Sequence, residues 1–402
     1  MKRGRMDNYV VISCDGHAGA PTPDFKPYLP RRLHDDFDAW WSATRAGGEL
    51  RLDASEDPRN FDLGHRFRDL EADGVIAEVI YPNTLTPFAR GEFNSSRVDK
   101  ERVDVDLRWE GLRAYNRWAA DWITAAPHRL AAMAQISLHH IDESAAEVRW
   151  AHAAGLRGGV LLPGLPPGGA LPLYHDPVYD PIWRECAERG MTLNHHGGSA
   201  APHYGAHPGS TIIFLAEVGW FSHRALTFFI LGGVLERHPE LRLVMSEQGA
   251  GWVPDHLAVL DRYAGYGDLV RDPLGAGHLS QRPSEYFARQ CYVGASFLAP
   301  PELAQLDRIG VDRILWGSDY PHREGTWPYS RESLRFTFAG VAPDVVRRMV
   351  GTNAAELYGF DLDALASIAV KACPTVADVA VPLTTLPTDT ISPAFDTYAG
   401  SR

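Results

Sequence analysis

Cysteine is scarce in this chain. Its four residues, Cys14, Cys186, Cys291 and Cys373, are far apart and form no Cys-x-x-Cys pair. Neither a disulfide framework nor a zinc ribbon is therefore expected. Positive charge is also short: 39 Lys and Arg against 51 Asp and Glu leave a net charge of −12. A surface for nucleic acid or anionic membrane needs clustered basic residues, and the one cluster, Lys2 to Arg5, is short and terminal. No apolar run is read as long enough for a membrane span, and the start of the chain has no apolar core with a small-residue cleavage site. No internal repeat stands out, and GLRGGVLLPG carries glycines without the G-x-G-x-x-G spacing of a phosphate loop. These absences point to a cytoplasmic protein with a small-molecule partner, no nucleic acid and no membrane, and a homo-oligomer is expected.

What is present is a long chain, 402 residues and 45% hydrophobic, enough for one large domain or two average ones. Eight strand-like runs occur: YVVISCD, IAEVIYP, LAAMAQIS, GGVLLPG, TLNHH, RLVMSE, CYVGAS and RILWGSD. Between them lie helical patterns such as EGLRAYNRWAADWITAA, SAAEVRWAHAAG, DPIWRECAERG and HRALTFFILGGVLERHP. Eight alternations favour a closed (β/α)8 TIM barrel over an open sheet. Residues 18–60 and 84–105 interrupt the pattern after strands one and two and read as insertions over the catalytic face. After residue 362 a Pro, Thr and Ala mixture lacks a clear period. The expected division is a barrel over 8–362 and a C-terminal extension, arm or disordered tail over 363–402.

In such a barrel, chemistry comes from the carboxyl ends of the strands. VVISCDGHAG ends strand one with Asp15 and His17, two residues apart and so on one face of a strand. Strand five ends in Asn194, His195 and His196, strand six in Glu247, and strand eight in Asp319 followed by His322. Carboxylates and imidazoles converging from strands one, five and eight would make a divalent-metal site. Each also has a plainer reading: Asp15 and His17 as a polar turn, Asp319 as a cap and Glu247 as an ion-pair partner. Strand alternation turns His196 inward with Thr192 and Asn194, and leaves His195 for packing. His139 and His140 precede a helix-cap sequence, DES, and Cys14 points away from Asp15 and reads as packing.

CDGHAG, LNHHGG, LVMSEQGAGWVP, RILWGSDYPHREGTWP and GTNAAELYGF resemble the amidohydrolase-related branch of the amidohydrolase superfamily. That branch includes aminocarboxymuconate semialdehyde decarboxylase and the nonoxidative aromatic acid decarboxylases. The resemblance runs from about Val10 to Asp361 and implies an amidohydrolase-like barrel with one divalent metal ion, Zn or Mn. Carried onto this chain, the implied ligands are Asp15, His17, His196 and Asp319. The sequence departs from the usual pattern twice. Asp15 stands where His-x-His is commoner, and Glu247 stands where many members end strand six in a histidine. A carboxylate beside a cation is the weaker base of the two. No lysine ends strand four, so a carbamylated-lysine bridge between two metals is not expected.

Glu247, Asp319 and His322 are the candidate catalytic residues. Asn83, Trp220 and Arg323 are the candidate substrate contacts, and Phe221 and Trp327 add to an aromatic pocket. The leading expectation is decarboxylation of an aromatic or unsaturated carboxylic acid. Hydrolysis of an amide, lactone or ester by a metal-activated water is the alternative, and a noncatalytic binding barrel the remote one.

Overall fold

The computed structural model describes residues 7–46, 56–89, 104–205, 207–266 and 279–395. The basic cluster at residues 2–5, the middle of the second insertion (90–103) and residues 396–402 lie outside them.

Eight strand positions form the barrel, all paired in parallel. They are Ile12–Ala18, Ala77–Pro82, Leu130–Ala132 continued at Ala134–Gln135, Val160–Leu161, Leu193–His196, Leu243–Ser246, Cys291–Ser296 and Ile314–Gly317. The third strand is divided at Met133, whose N–H still reaches Ile80 O at 3.1 Å while Ala134 N–H reaches Gly159 O at 2.9 Å. The last strand returns to the first: Asp319 N–H donates to Asp15 O and His17 N–H to Tyr320 O, both at 2.7 Å. The strands are short and almost wholly buried, as expected for a parallel sheet covered by helices.

Helices Val105–Ile123, Ile141–Ala153 and Asp180–Arg189 lie where the spacing predicts them, with Asp104 capping the first and Gly190 closing the third in a left-handed conformation. The helix predicted from His223 instead runs over Ser210–Leu231. Its first half is apolar on nearly every side, so no period marked its start. By length and composition this helix is sufficient to cross a membrane, which corrects the expectation that no apolar run has that length. Its Phe221, Ala225, Leu226 and Phe229 are buried in the protein core.

The first insertion carries the helix His34–Ala46 and short 3-10 turns. It packs on the second insertion, where Trp40 Nε1 donates to Ala89 O at 3.1 Å. Beyond residue 362 the chain is more regular than its composition suggests, with helices Leu362–Ala372 and Val376–Ala380. A bridge between Asn8 and Thr375 ties this region to the start of the barrel. The four cysteines are buried and unpaired, and burial pushes the Cys14 thiol up.

Candidate metal centre and active-site cavity

The first strand is bent where it must present two ligand groups. Its register against the second strand shifts between Ser13 and Gly16, the kind of bulge that re-aims side chains. His17 Nε2 lies 3.2 Å from Asp15 Oδ1 and 3.0 Å from Asp319 Oδ1, and His196 Nε2 lies 3.4 Å from the same Asp15 oxygen. Asp15, His17 and His196 each offer a ligand atom within 4.8 Å of the others, as do His17, Asp319 and His322. Tetrahedral ligands bonded at about 2.0 to 2.2 Å would stand about 3.3 to 3.6 Å apart, close to these separations.

His17 Nε2, His322 Nδ1 and both carboxylate oxygens of Asp319 are buried without a properly aligned hydrogen bond. Polar atoms in that state are costly unless something else satisfies them. A cation shared by facing imidazoles and carboxylates does so, and this donor set suits zinc or manganese. The residues therefore fit a single divalent ion.

Glu247, directly after the sixth strand, and Asp319, two residues past the eighth, adopt φ of 54° and 58°, and Phe297 after the seventh adopts 64°. Non-glycine residues held there cost about 1 to 3 kcal/mol each and collect at functional sites. The candidate ligands are also held from outside. Ser296 Oγ donates to Asp15 Oδ2 at 2.5 Å. Arg66, fully buried, grips Glu78 with Nε at 2.6 Å and Nη2 at 3.0 Å, and its Nη1 donates to His17 O at 2.8 Å. His322 Nδ1 faces Asp319 Oδ1 at 2.8 Å, and its Nε2 meets Asn83 Oδ1 at 2.9 Å. Asn83 Nδ2 in turn donates to Asn60 Oδ1 at 2.7 Å, so the first insertion backs the site.

Electrostatics follow from this crowding. Burial disfavours charge on His17, yet the Asp15 and Asp319 carboxylates push it up to about 10. Burial also works against Asp15, but His17 and His196 hold it well below the usual carboxylate range. Asp319 is likewise lowered against its burial, by His322 and His17. Glu247 goes the other way: burial, then the charges of Asp319 and Asp15, raise it well above a normal glutamate. His195 is buried behind the strand, close to Ser199 and Gln248, and burial followed by His196 lowers it to about 3.

A cavity of about 1360 Å³ opens over the cluster. His17, His196, Glu247 and His322 are among its polar lining residues, and Phe214, Trp252 and Phe297 are among its apolar walls. Among the described residues that line it there is no lysine or arginine. Asn83 lines it, and Trp220 does so while two-thirds exposed (67%). Arg323 is exposed and is not among the lining residues. Phe221 is buried in the core, and Trp327 packs edge-on against Tyr320 beneath Arg59, so neither reaches the cavity. No described residue of the first insertion lines the cavity either; it supports the site instead of roofing it. Ser296, Arg66, Trp252 and Phe297 were missed from the sequence. Ser296 ends a strand and was open to the same reasoning as Asp15, whereas Arg66 gave no signal.

The amidohydrolase family pattern matches residues 85–360, more than half of the chain. The chain belongs to the amidohydrolase family. This amidohydrolase is 25% identical over 278 residues to the γ-resorcylate decarboxylase of Rhodococcus jostii (strain RHA1), a match covering 65% of this chain and 79% of that protein. A 5-carboxyvanillate decarboxylase from Novosphingobium aromaticivorans DSM 12444, solved with manganese and 4-hydroxy-3-methoxy-5-nitrobenzoic acid, superposes with a TM-score of 0.65 at 20% identity. That match covers 89% of this chain and 98% of the other. A dihydroxybenzoic acid decarboxylase from Polaromonas sp. JS666, solved with manganese and 2-nitroresorcinol, gives a TM-score of 0.60 at 16% identity and coverage of 87% and 97%. The protein is thus an enzyme of the amidohydrolase superfamily with the TIM-barrel fold, related to aromatic acid decarboxylases, and its His/Asp cluster is able to hold a single metal ion.

Proposed function

We propose that this amidohydrolase catalyses metal-dependent, nonoxidative decarboxylation of an aromatic or unsaturated carboxylic acid. The observation that carries the reading is a pair of buried His/Asp groupings that share His17, Asp15/His17/His196 and His17/Asp319/His322, with His17, His196 and His322 lining a cavity that has aromatic walls. The substrate class comes from the decarboxylases it is similar to.

Asp15, His17, His196 and Asp319 would hold one Zn or Mn ion. When bound, the ion supplies Lewis acidity that orients a carboxylate and a neighbouring oxygen. Trp220 and Trp252 flank a ring, and the Asn83 amide keeps His322 against Asp319. Glu247 stands over the cluster with Oε2 at 3.1 Å from His196 Nδ1. It donates its proton to the ring carbon as the carbon–carbon bond breaks; that bond's electrons pass to the ring, and carbon dioxide leaves. His322 is the second candidate donor. Residues 8–362 supply the reacting groups, in a cytoplasmic homo-oligomer, and the exposed Ile212 and Ile213 favour a second copy.

Hydrolysis would use the same ligands with Glu247 taking a proton from water instead of giving one to carbon, and the similarity to decarboxylases favours the other direction. The test is carbon dioxide release from a panel of hydroxybenzoic acids by protein loaded with manganese or zinc. Equimolar carbon dioxide and decarboxylated phenol are expected. Release from no acid, together with cleavage of an aryl ester or lactone, would replace this reading with hydrolysis.

A further inference from the structure

The family match ends at residue 360, yet the chain continues to one side of the cavity. After the helix Val376–Ala380 the chain runs on without a further α-helix or strand to a short 3-10 turn at Pro393–Phe395. It is fastened along the way. Arg335, on the helix Ser330–Phe338, donates from Nε to Val381 O at 3.0 Å and from Nη2 to Pro382 O at 3.2 Å. Tyr329 OH donates to Asp389 Oδ1 at 2.7 Å. At the far end Phe395 meets the Phe336 ring at 6.0 Å between centroids.

This end forms its own apolar cluster, separate from the barrel core. Phe297, Ala394 and Phe395 are buried in it, with Leu383 and Leu386 packed alongside. Phe297 also lines the cavity, and so does Pro393. Phe297 follows Ser296, the residue whose hydroxyl holds Asp15, and its positive φ is unfavourable for an aromatic residue. Such a conformation persists where packing fixes it, and here the arm contributes to that packing together with Tyr329 and Phe336.

We infer that the C-terminal arm, Val381–Phe395, builds one apolar wall of the substrate cavity: Pro393 faces the cavity, Phe395 holds Phe297 in place, and together they limit the size of the ring that binds. The ligand class, aromatic acids, rests on the function proposed above; the wall itself rests on the packing. An aromatic ring gains little from a wall that yields, whereas a fixed wall discriminates by size.

The test compares three manganese-loaded proteins: the full chain, the chain ending at Ala380, and Phe395→Ala in the full chain. Affinities for benzoate and biphenyl-4-carboxylate, and for the corresponding neutral amides, are measured by calorimetry, with metal content checked in each. The full chain should prefer the small ring by about tenfold or more, the scale on which pockets discriminate by size. Truncation should remove most of that preference while metal content stays, and Phe395→Ala should fall between the two. Should truncation unfold the protein, Phe395→Ala carries the comparison. If the amides bind and the acids do not, the aromatic-acid reading fails while the size ratio still tests the wall. An unchanged ratio in the variants, or no binding of any probe by any of the three proteins, overturns the inference.

Discussion

Each metal-ligand candidate depends on a neighbour that is itself not a ligand. Ser296 fixes one oxygen of Asp15 and leaves the other toward His17 and His196. Removing such an outer partner typically costs 10- to 100-fold in metal affinity. Ser296→Ala should therefore weaken manganese binding by about tenfold with little loss of secondary structure, read by metal titration and circular dichroism. The two adjacent histidines should separate cleanly: His196→Ala loses the metal, while His195→Ala keeps it and lowers the melting temperature, because only the former faces Asp15. A third residue tests buried charge away from the site. Asp73 accepts a backbone hydrogen bond from Ser330 at 2.9 Å, but its other oxygen is buried without a partner, and burial raises it to about 7. Its folded pKa lies above the unfolded value, so the folded state holds the proton more tightly. The stability linked to it is complete below about pH 4 and is lost as pH rises through 7. Asp73→Asn should raise the melting temperature at pH 8 relative to the parent and leave it nearly unchanged at pH 4.5. Strand alternation made Asp15, His17 and His196 legible because it reports which side chains share a face. Ser296 and Asp15 are 281 residues apart, and no local pattern pairs them.

At the scale of elements, the helix Leu63–Asp73 is bound to the first two strands by one buried ion pair. Arg66 and Glu78 are both fully buried, and the guanidinium also carries the His17 and Arg59 carbonyls. Gly16 leaves room for this pair, since a Cβ there would lie 2.5 Å from Glu78 Oε1. Arg66→Met leaves Glu78 buried and unpaired, so a loss of about 3 to 5 kcal/mol is expected by denaturant unfolding. Arg66→Met combined with Glu78→Leu should recover much of it, because no buried charge then remains; a double variant no more stable than Arg66→Met would argue against a simple pair. Strands were readable at this scale because short apolar runs between turn signals have few other uses. Several helices were not, Ser210–Leu231 and Leu362–Ala372 among them. The first half of Ser210–Leu231 is too uniformly apolar to show a period. Leu362–Ala372 does show one, with Leu365, Ala369 and Ala372 buried on one side, but the Pro and Thr content that follows it masked the signal.

For the whole molecule, the barrel brings residues from positions 15 to 322 to one end of the sheet, and the cluster they form is built for a charge it does not itself supply. Two carboxylates and two imidazoles are packed against each other with several polar atoms unpaired, a state that binding of a cation stabilises. A ligand that binds the folded form alone adds about 2.7 kcal/mol at 100 times its Kd. Chelation should accordingly lower the melting temperature, and manganese should restore it in the parent but not in Asp319→Asn. The most direct test of the account is the metal stoichiometry of the apo-protein titrated with manganese, followed by electron paramagnetic resonance. One tightly bound equivalent is predicted for the parent, with binding lost when Asp15, His17, His196 or Asp319 is replaced by alanine. A parent protein that binds no manganese or zinc, or one whose metal survives replacement of all four residues, would contradict it.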